Sequence, residues 1–386
     1  MNQPQSIPLP QKEQKAPLIR IAKRGALPQR MAWLIRAGGL LAALTAGALL
    51  ILALGHNPLA VYAEMLDSAF GNRTGFTQLI RIAIPLLGAS LAVGLAFKMR
   101  FWNIGAEGQI LVGGIAATYF ALFHVGNMPR PVLLIVMGLA AAVAGAIWGF
   151  IPAFFRAKWG TNETLFTLML NYVAFGIISY LQSGPWQCPS SGGFPIISMF
   201  APAARLPRVF NVHIGWIIVL ILTALMFFYL KRSKQGYQLS VVGQSENTAR
   251  YAGMNVGRII IRTMIISGAI AGLVGFMQVS GANFTLDETT SGGVGFMAIT
   301  VAWLSQLNPL IMVLVSLFIA VLTRGATRIQ TQFMIPDTIA SVLIGMILFF
   351  MLACECFVNY RLVLRSRNNA AKSACHPGPG APSSSL

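Results

Sequence analysis

Charge is scarce in this 386-residue chain, and negative charge scarcest: ten Asp and Glu stand against 28 Lys and Arg. Charged residues make up 10% of the sequence, where a soluble domain carries roughly 25%, and this excludes an ordinary water-soluble fold. Of the acids, only Glu107 and Glu163 fall near predicted spans in the first half. That is too few for a relay of buried ionisable groups, although a single Glu107 could couple to protons. The four His (His56, His124, His213, His376) are scattered and form no constellation for a membrane enzyme. The four Cys (Cys188, Cys354, Cys356, Cys375) lack metal-ligand spacing, so packing explains them and no metal site is expected. A Gly-x-x-x-x-Gly-Lys-[Ser/Thr] phosphate loop is also missing, so the chain does not hydrolyse ATP by that route and no cofactor is expected on it. Beta-barrel alternation is absent too.

What the sequence has in abundance is apolar length. Mean hydropathy is +0.69 with 56% hydrophobic residues, and runs of about 20 apolar residues recur, matching a hydrocarbon core of roughly 30 Å. The fold class expected is an all-α polytopic integral membrane protein of about ten transmembrane helices, two of them broken or re-entrant. The first apolar run begins after about 36 polar, basic residues, too long a lead for an ordinary cleavable signal. The formal charge of +18 is topological. Seven Lys and Arg precede the first span, five lie from Lys231 to Arg258, and four lie from Arg361 onward. Placing all three segments in the cytoplasm satisfies the positive-inside rule and leaves no case for nucleic-acid binding. The expected organisation is therefore a basic arm (1–36), a permease-like membrane domain (37–358) with a cytoplasmic loop (231–258), and a basic disordered tail (359–386). Residues between the first span and Ile82 read as an outward loop carrying Glu64, Asp67 and Arg73. Arg324 and Arg328 also fall outward, lining an entrance or marking a re-entrant pair.

Two polar breaks interrupt this apolar pattern. The first is Phe101-Trp102-Asn103-Ile104-Gly105-Ala106-Glu107-Gly108-Gln109, and the second runs from Ser280 to Gly293. Irregular backbone at membrane depth persists only inside protein or beside a wet cavity, and interrupted segments at corresponding places of two halves point to a solute path. Span, break and short span recur around 82–123 and 260–307, so both breaks are expected to wall the pathway. Phe101 and Trp102 could stack on a base or sugar face, and Asn103, Glu107 and Gln109 could hydrogen-bond hydroxyls or ring nitrogens. The structural alternative has them satisfying the broken backbone. Asn171, inside an apolar span, reads equally as an interhelical hydrogen bond or a pathway contact. Residues 183 to 212, rich in Pro, Gly and Ser, form the longest outward loop and a candidate docking surface.

In the basic loop, Ser245-Glu246-Asn247-Thr248-Ala249-Arg250-Tyr251-Ala252-Gly253 has the grammar of a short helix. Ser245 caps it, Glu246 and Arg250 stand i,i+4, and Gly253 suits the left-handed terminal position. So short a helix needs a docking partner; otherwise it is a solvated loop with one helical turn.

These segments, with Gly160-Thr161-Asn162-Glu163 and Gly243-Gln244, together resemble permeases of bacterial ABC importers in the branched-chain amino acid, ribose and nucleoside permease superfamily, nucleoside or simple-sugar branch. The resemblance spans about residues 35 to 360, with Trp102 and the tail after Arg367 as departures. It implies a multi-pass subunit of the bacterial inner membrane that translocates nucleosides or simple sugars by alternating access. It also implies a second homologous permease, a cytoplasmic ATPase that hydrolyses the ATP, an extracytoplasmic substrate-binding protein or lipoprotein, and surrounding lipid. Ser245, Glu246, Ala249, Arg250, Tyr251, Ala252 and Gly253 would then couple to the ATPase. An ion-coupled secondary transporter of a small polar solute is the competing reading.

Overall fold

The structure, a computed structural model, describes residues 19–23 and 28–364. Helices dominate: α1 (Gln29–Ala53), α2 (Pro58–Phe70), α3 (Arg73–Lys98), α4 (Ala106–Phe123), α5 (Arg130–Trp159) and α6 (Glu163–Ser183) make the first half. The second half contains α7 (Gly215–Arg232), α8 (Lys234–Gln244), α9 (Glu246–Tyr251), α10 (Val256–Met277), α11 (Val294–Leu304), α12 (Pro309–Phe333) and α13 (Asp337–Asn359). Eight helices are long and apolar enough to cross a membrane, and the apolar stretches Val294–Leu304 and Thr338–Cys354 are shorter.

Residues 42–352 form one compact unit, and the chain's two ends belong to another. Within the latter, strand β1 (Ile19–Lys23) pairs antiparallel with β4 (Tyr360–Leu364), Ile21 opposite Leu362, an element the sequence did not announce. The rest of the predicted arm before residue 19 and of the tail after residue 364 lies outside the described residues. The only other strands described, β2 (Arg208–Val209) and β3 (Val212–His213), make a tight hairpin in the long loop after α6.

Asparagine starts many of these helices. Asn57, Asn72, Asn162, Asn255 and Asn308 each accept a hydrogen bond from a backbone N–H in the first turn of the helix, satisfying donors that a helix start leaves free. Pro58 and Pro309 add a preset φ at the first helical position. The predicted outward loop after α1 is largely α2, whose Val61, Met65 and Ala69 are buried at helical spacing. Its Glu64 accepts from Arg328 Nε at 2.7 Å, which gives that outlying cation a partner.

Close helix contact holds the centre of the larger unit. On α10, a Cβ at Gly272 would overlap the Ala141 carbonyl of α5, and one at Gly275 the Ile110 carbonyl of α4. Small residues let helices approach this closely where apolar burial gives no advantage over lipid. Ser267 of α10 also donates to the Ala92 carbonyl of α3 at 2.7 Å, so α3, α4, α5 and α10 are fixed against one another.

Candidate functional site

The first break begins where α3 ends at Lys98, with Arg100 turned into the left-handed region at φ 60°. Its backbone groups are then satisfied one by one. Asn103 accepts from Gly105 N at 3.0 Å and donates to Gln109 Oε1 at 3.3 Å. Thr167 of α6 accepts from Ile104 N at 3.2 Å, while Asn171 accepts from Gly108 N at 2.8 Å and donates to the Ile104 carbonyl at 3.0 Å. Phe101, Asn103, Gln109 and Asn171 are all buried. Trp102 stays open, 47% exposed, in an aromatic cluster with Phe97 and Trp303, ring centroids 5.5 and 5.6 Å away.

Glu107 joins the two breaks. Only 1% exposed, it accepts from Ser291 Oγ at 2.5 Å and Gly293 N at 3.0 Å through one oxygen, and from Gly295 N at 2.6 Å through the other. Those donors form the start of α11, so the carboxylate caps a helix N-terminus where a negative charge is favoured. Glycine makes this approach feasible: a Cβ at Gly295 would overlap the Glu107 backbone, and Gly293 holds φ 73°.

The second break starts as a π-helical turn, Gln278–Asn283, that continues α10. Its far end is buttressed by the long loop. Leu206 N donates to the Ser280 carbonyl and Phe200 N to that of Phe284, with the Arg205 guanidinium 4.9 Å from the Phe284 ring. Beside it the His213 ring is 3% exposed and neither nitrogen has a hydrogen-bond partner. Burial, reinforced by Arg81 and Arg208, lowers its pKa to about 4.

Between α3, the π turn, the start of α11 and α12 opens a cleft of ≈ 340 Å³. Its polar lining is Gln78, Arg81, Gln278, Asn283, Ser291 and Thr323. Asn283 and Ser291 belong to the predicted second break. Gln78, Arg81, Gln278 and Thr323 were missed, and the available signal was Arg81, a cation inside a continuous helix that hydropathy alone begins at Ile82.

At the opposite end of α3, α8 packs so closely that a Cβ at Gly243 would overlap the Lys98 carbonyl. The short helix α9 comes next, as its sequence suggests. Ser245 Oγ accepts from Thr248 N at 3.2 Å, Ala249 is buried, and Gly253 takes φ 76°. Arg250, Tyr251 and Ala252 are exposed, Tyr251 by 93%. Glu246 faces Arg156 of α5 at 3.5 Å, and the same guanidinium lies 3.4 Å from Glu163 of α6.

The family described as branched-chain amino acid transport system / permease component matches residues 75–352, a stretch that contains both breaks, the cleft and α9. The chain belongs to this family. It is a multi-pass membrane permease component and not a catalytic enzyme. Relatives include the glucose ABC transporter permease protein TsgB13 of Haloferax volcanii, 32% identical over 89% of this permease and 93% of that protein. The guanosine ABC transporter permease protein NupP of Bacillus subtilis is 31% identical over 80% and 89%. The nucleoside ABC transporter permease protein NupB of Lactococcus lactis is 31% identical over 79% and 86%.

Proposed function

We propose that this permease is the membrane-spanning subunit of an ABC importer that moves nucleosides or related simple sugars inward across the plasma membrane by alternating access. The observation that carries the reading is the pair of interlocked breaks beside an open polar cleft, in a chain whose relatives are named for glucose, guanosine and nucleosides. A ring of amides and hydroxyls suits hydroxyl-rich solutes, which need many directional hydrogen bonds and no fixed counter-charge.

The chain binds no cofactor of its own. A cytoplasmic ATPase hydrolyses ATP and docks on the exposed Arg250, Tyr251 and Ala252 of α9, while buried Ala249 and the Glu246–Arg156–Glu163 contacts tie that helix to α5 and α6. Ser245 and Gly253 set the ends of the helix. A second homologous permease completes the membrane part, and an extracytoplasmic binding protein delivers solute. Phe101, Asn103, Glu107, Gln109 and Asn171 shape the pathway from behind, and Trp102 faces it.

The test is uptake of labelled guanosine, adenosine, uridine, ribose, glucose and leucine in transport-deficient cells expressing the complete system, with and without an inactivated ATPase. Nucleoside or sugar uptake that vanishes with the ATPase supports the proposal. Uptake that persists without the ATPase and collapses with an ionophore makes the chain a secondary transporter instead.

A further inference from the structure

The lining of the cleft has an electrostatic character of its own. Arg81 is the only charged side chain among its described lining residues. One of its five N–H donors reaches the Ala282 carbonyl at 3.3 Å, and no carboxylate pairs with it among the described residues. Gln278 and Asn283 each direct an amide hydrogen to the Thr290 carbonyl, at 3.3 and 3.4 Å. Their amide oxygens meet no protein donor among the described residues and stay available as acceptors. Glu107, the acid behind Ser291, has both oxygens occupied and is shut off from the cleft. Asp287 accepts from the hydroxyls of Thr289 and Thr290.

A solute entering this cleft meets two constraints. The positive end of α11, which in a broken helix would draw an anionic group, is already filled by Glu107. A cationic solute meets the Arg81 guanidinium with no fixed negative charge to offset it, inside an enclosure where charges are poorly screened. What remains is a set of guanidinium donors and amide acceptors, which suits an uncharged solute carrying both kinds of group.

We propose that this cleft is the solute seat, that Arg81, Gln278 and Asn283 bind the hydroxyl and amide edges of a neutral nucleoside or sugar, and that Arg81 excludes cationic analogues. The inference rests on the importer reading above and adds to it a site and a charge rule. An amino-acid zwitterion fits poorly, because its ammonium group finds no carboxylate there.

The experiment compares uridine with 5′-amino-5′-deoxyuridine, which is cationic near neutral pH, as competitors for uptake by the complete system. The wild type should take the amino analogue about ten-fold less well than uridine, and Arg81→Gln should raise KM for uridine about ten-fold while bringing the two compounds within about two-fold of each other. Arg81→Lys, which keeps the charge, should retain the discrimination and shows that the position tolerates change. If Arg81→Gln transports uridine with unaltered KM and still rejects the amine, the cleft is not the seat, although the importer reading stands. If the wild type instead carries leucine and no nucleoside or sugar, both fall.

Discussion

The two breaks contain the same ingredients, glycines, amides and hydroxyls set into apolar helices, and use them in opposite ways. In the first, Asn103, Gln109, Thr167 and Asn171 are joined to one another and to the interrupted backbone, and the cluster is buried. In the second, Gln278 and Asn283 anchor on one carbonyl and leave their oxygens on a cleft. A polar group at membrane depth is costly unless paired, so the first break is a joint and the second a surface. The difference lies in who the partners are, because the residue types match.

That contrast can be broken by mutation. The largest effect is expected from Asn171→Leu, which orphans the Gly108 N–H and the Ile104 carbonyl. At about 1–3 kcal/mol for each buried group the loss is about 4 kcal/mol, read as a fall in thermal stability in detergent with KM unchanged in surviving protein. A raised KM at full stability would make the first break the solute surface and reverse the comparison.

His213, at the far end of the second break, should come next. Its native pKa of about 4 lies below the ordinary 6.5, so between those values the unfolded chain binds a proton that the native protein refuses. Stability is full above pH 6.5 and falls by about 3 kcal/mol as pH drops toward 4. His213→Asn should flatten melting curves recorded from pH 4.5 to 7.5, and an unchanged slope would assign the acid sensitivity elsewhere.

Glu107→Gln is expected to cost about 2 kcal/mol, since a charged acceptor is replaced by an amide that cannot serve all three donors, and to lower uptake by loosening the start of α11. Wild-type melting and uptake would show that the link between the breaks is dispensable. Ser245→Ala is the smallest change, about 1 kcal/mol for a lost helix cap. It should weaken co-purification of the ATPase while melting of the membrane helices stays as in the wild type.

Much of this was legible in sequence where the determinants are local. Ser245 and Gly253 bracket α9 because capping is decided within a turn, and residues 101–109 stand out because glycine and amides interrupt apolar runs. The α2 helix was hidden: Glu64 and Asp67 lower its hydropathy, although Val61, Met65 and Ala69 repeat at helical spacing. Arg81 was lost to the same habit of starting a span at its first apolar residue. The link from Glu107 to Ser291 crosses 184 residues, and only the packing of α4 against α11 creates it. The i,i+4 spacing of Glu246 and Arg250 was visible, but the contact of Glu246 with Arg156 depends on the placement of α5.

The π-helical turn at Gln278–Asn283 amounts to one surplus residue in an otherwise regular helix. Removing a single residue there would let α-helical pairing run on and rotate the chain beyond it by about 100°, carrying Asn283 and Ser291 off the cleft without altering any side chain that lines it. Insertions and deletions, more than substitutions, are therefore the changes by which a lineage of such permeases could exchange one lining for another, and alignments that close this gap for convenience would erase the record of it.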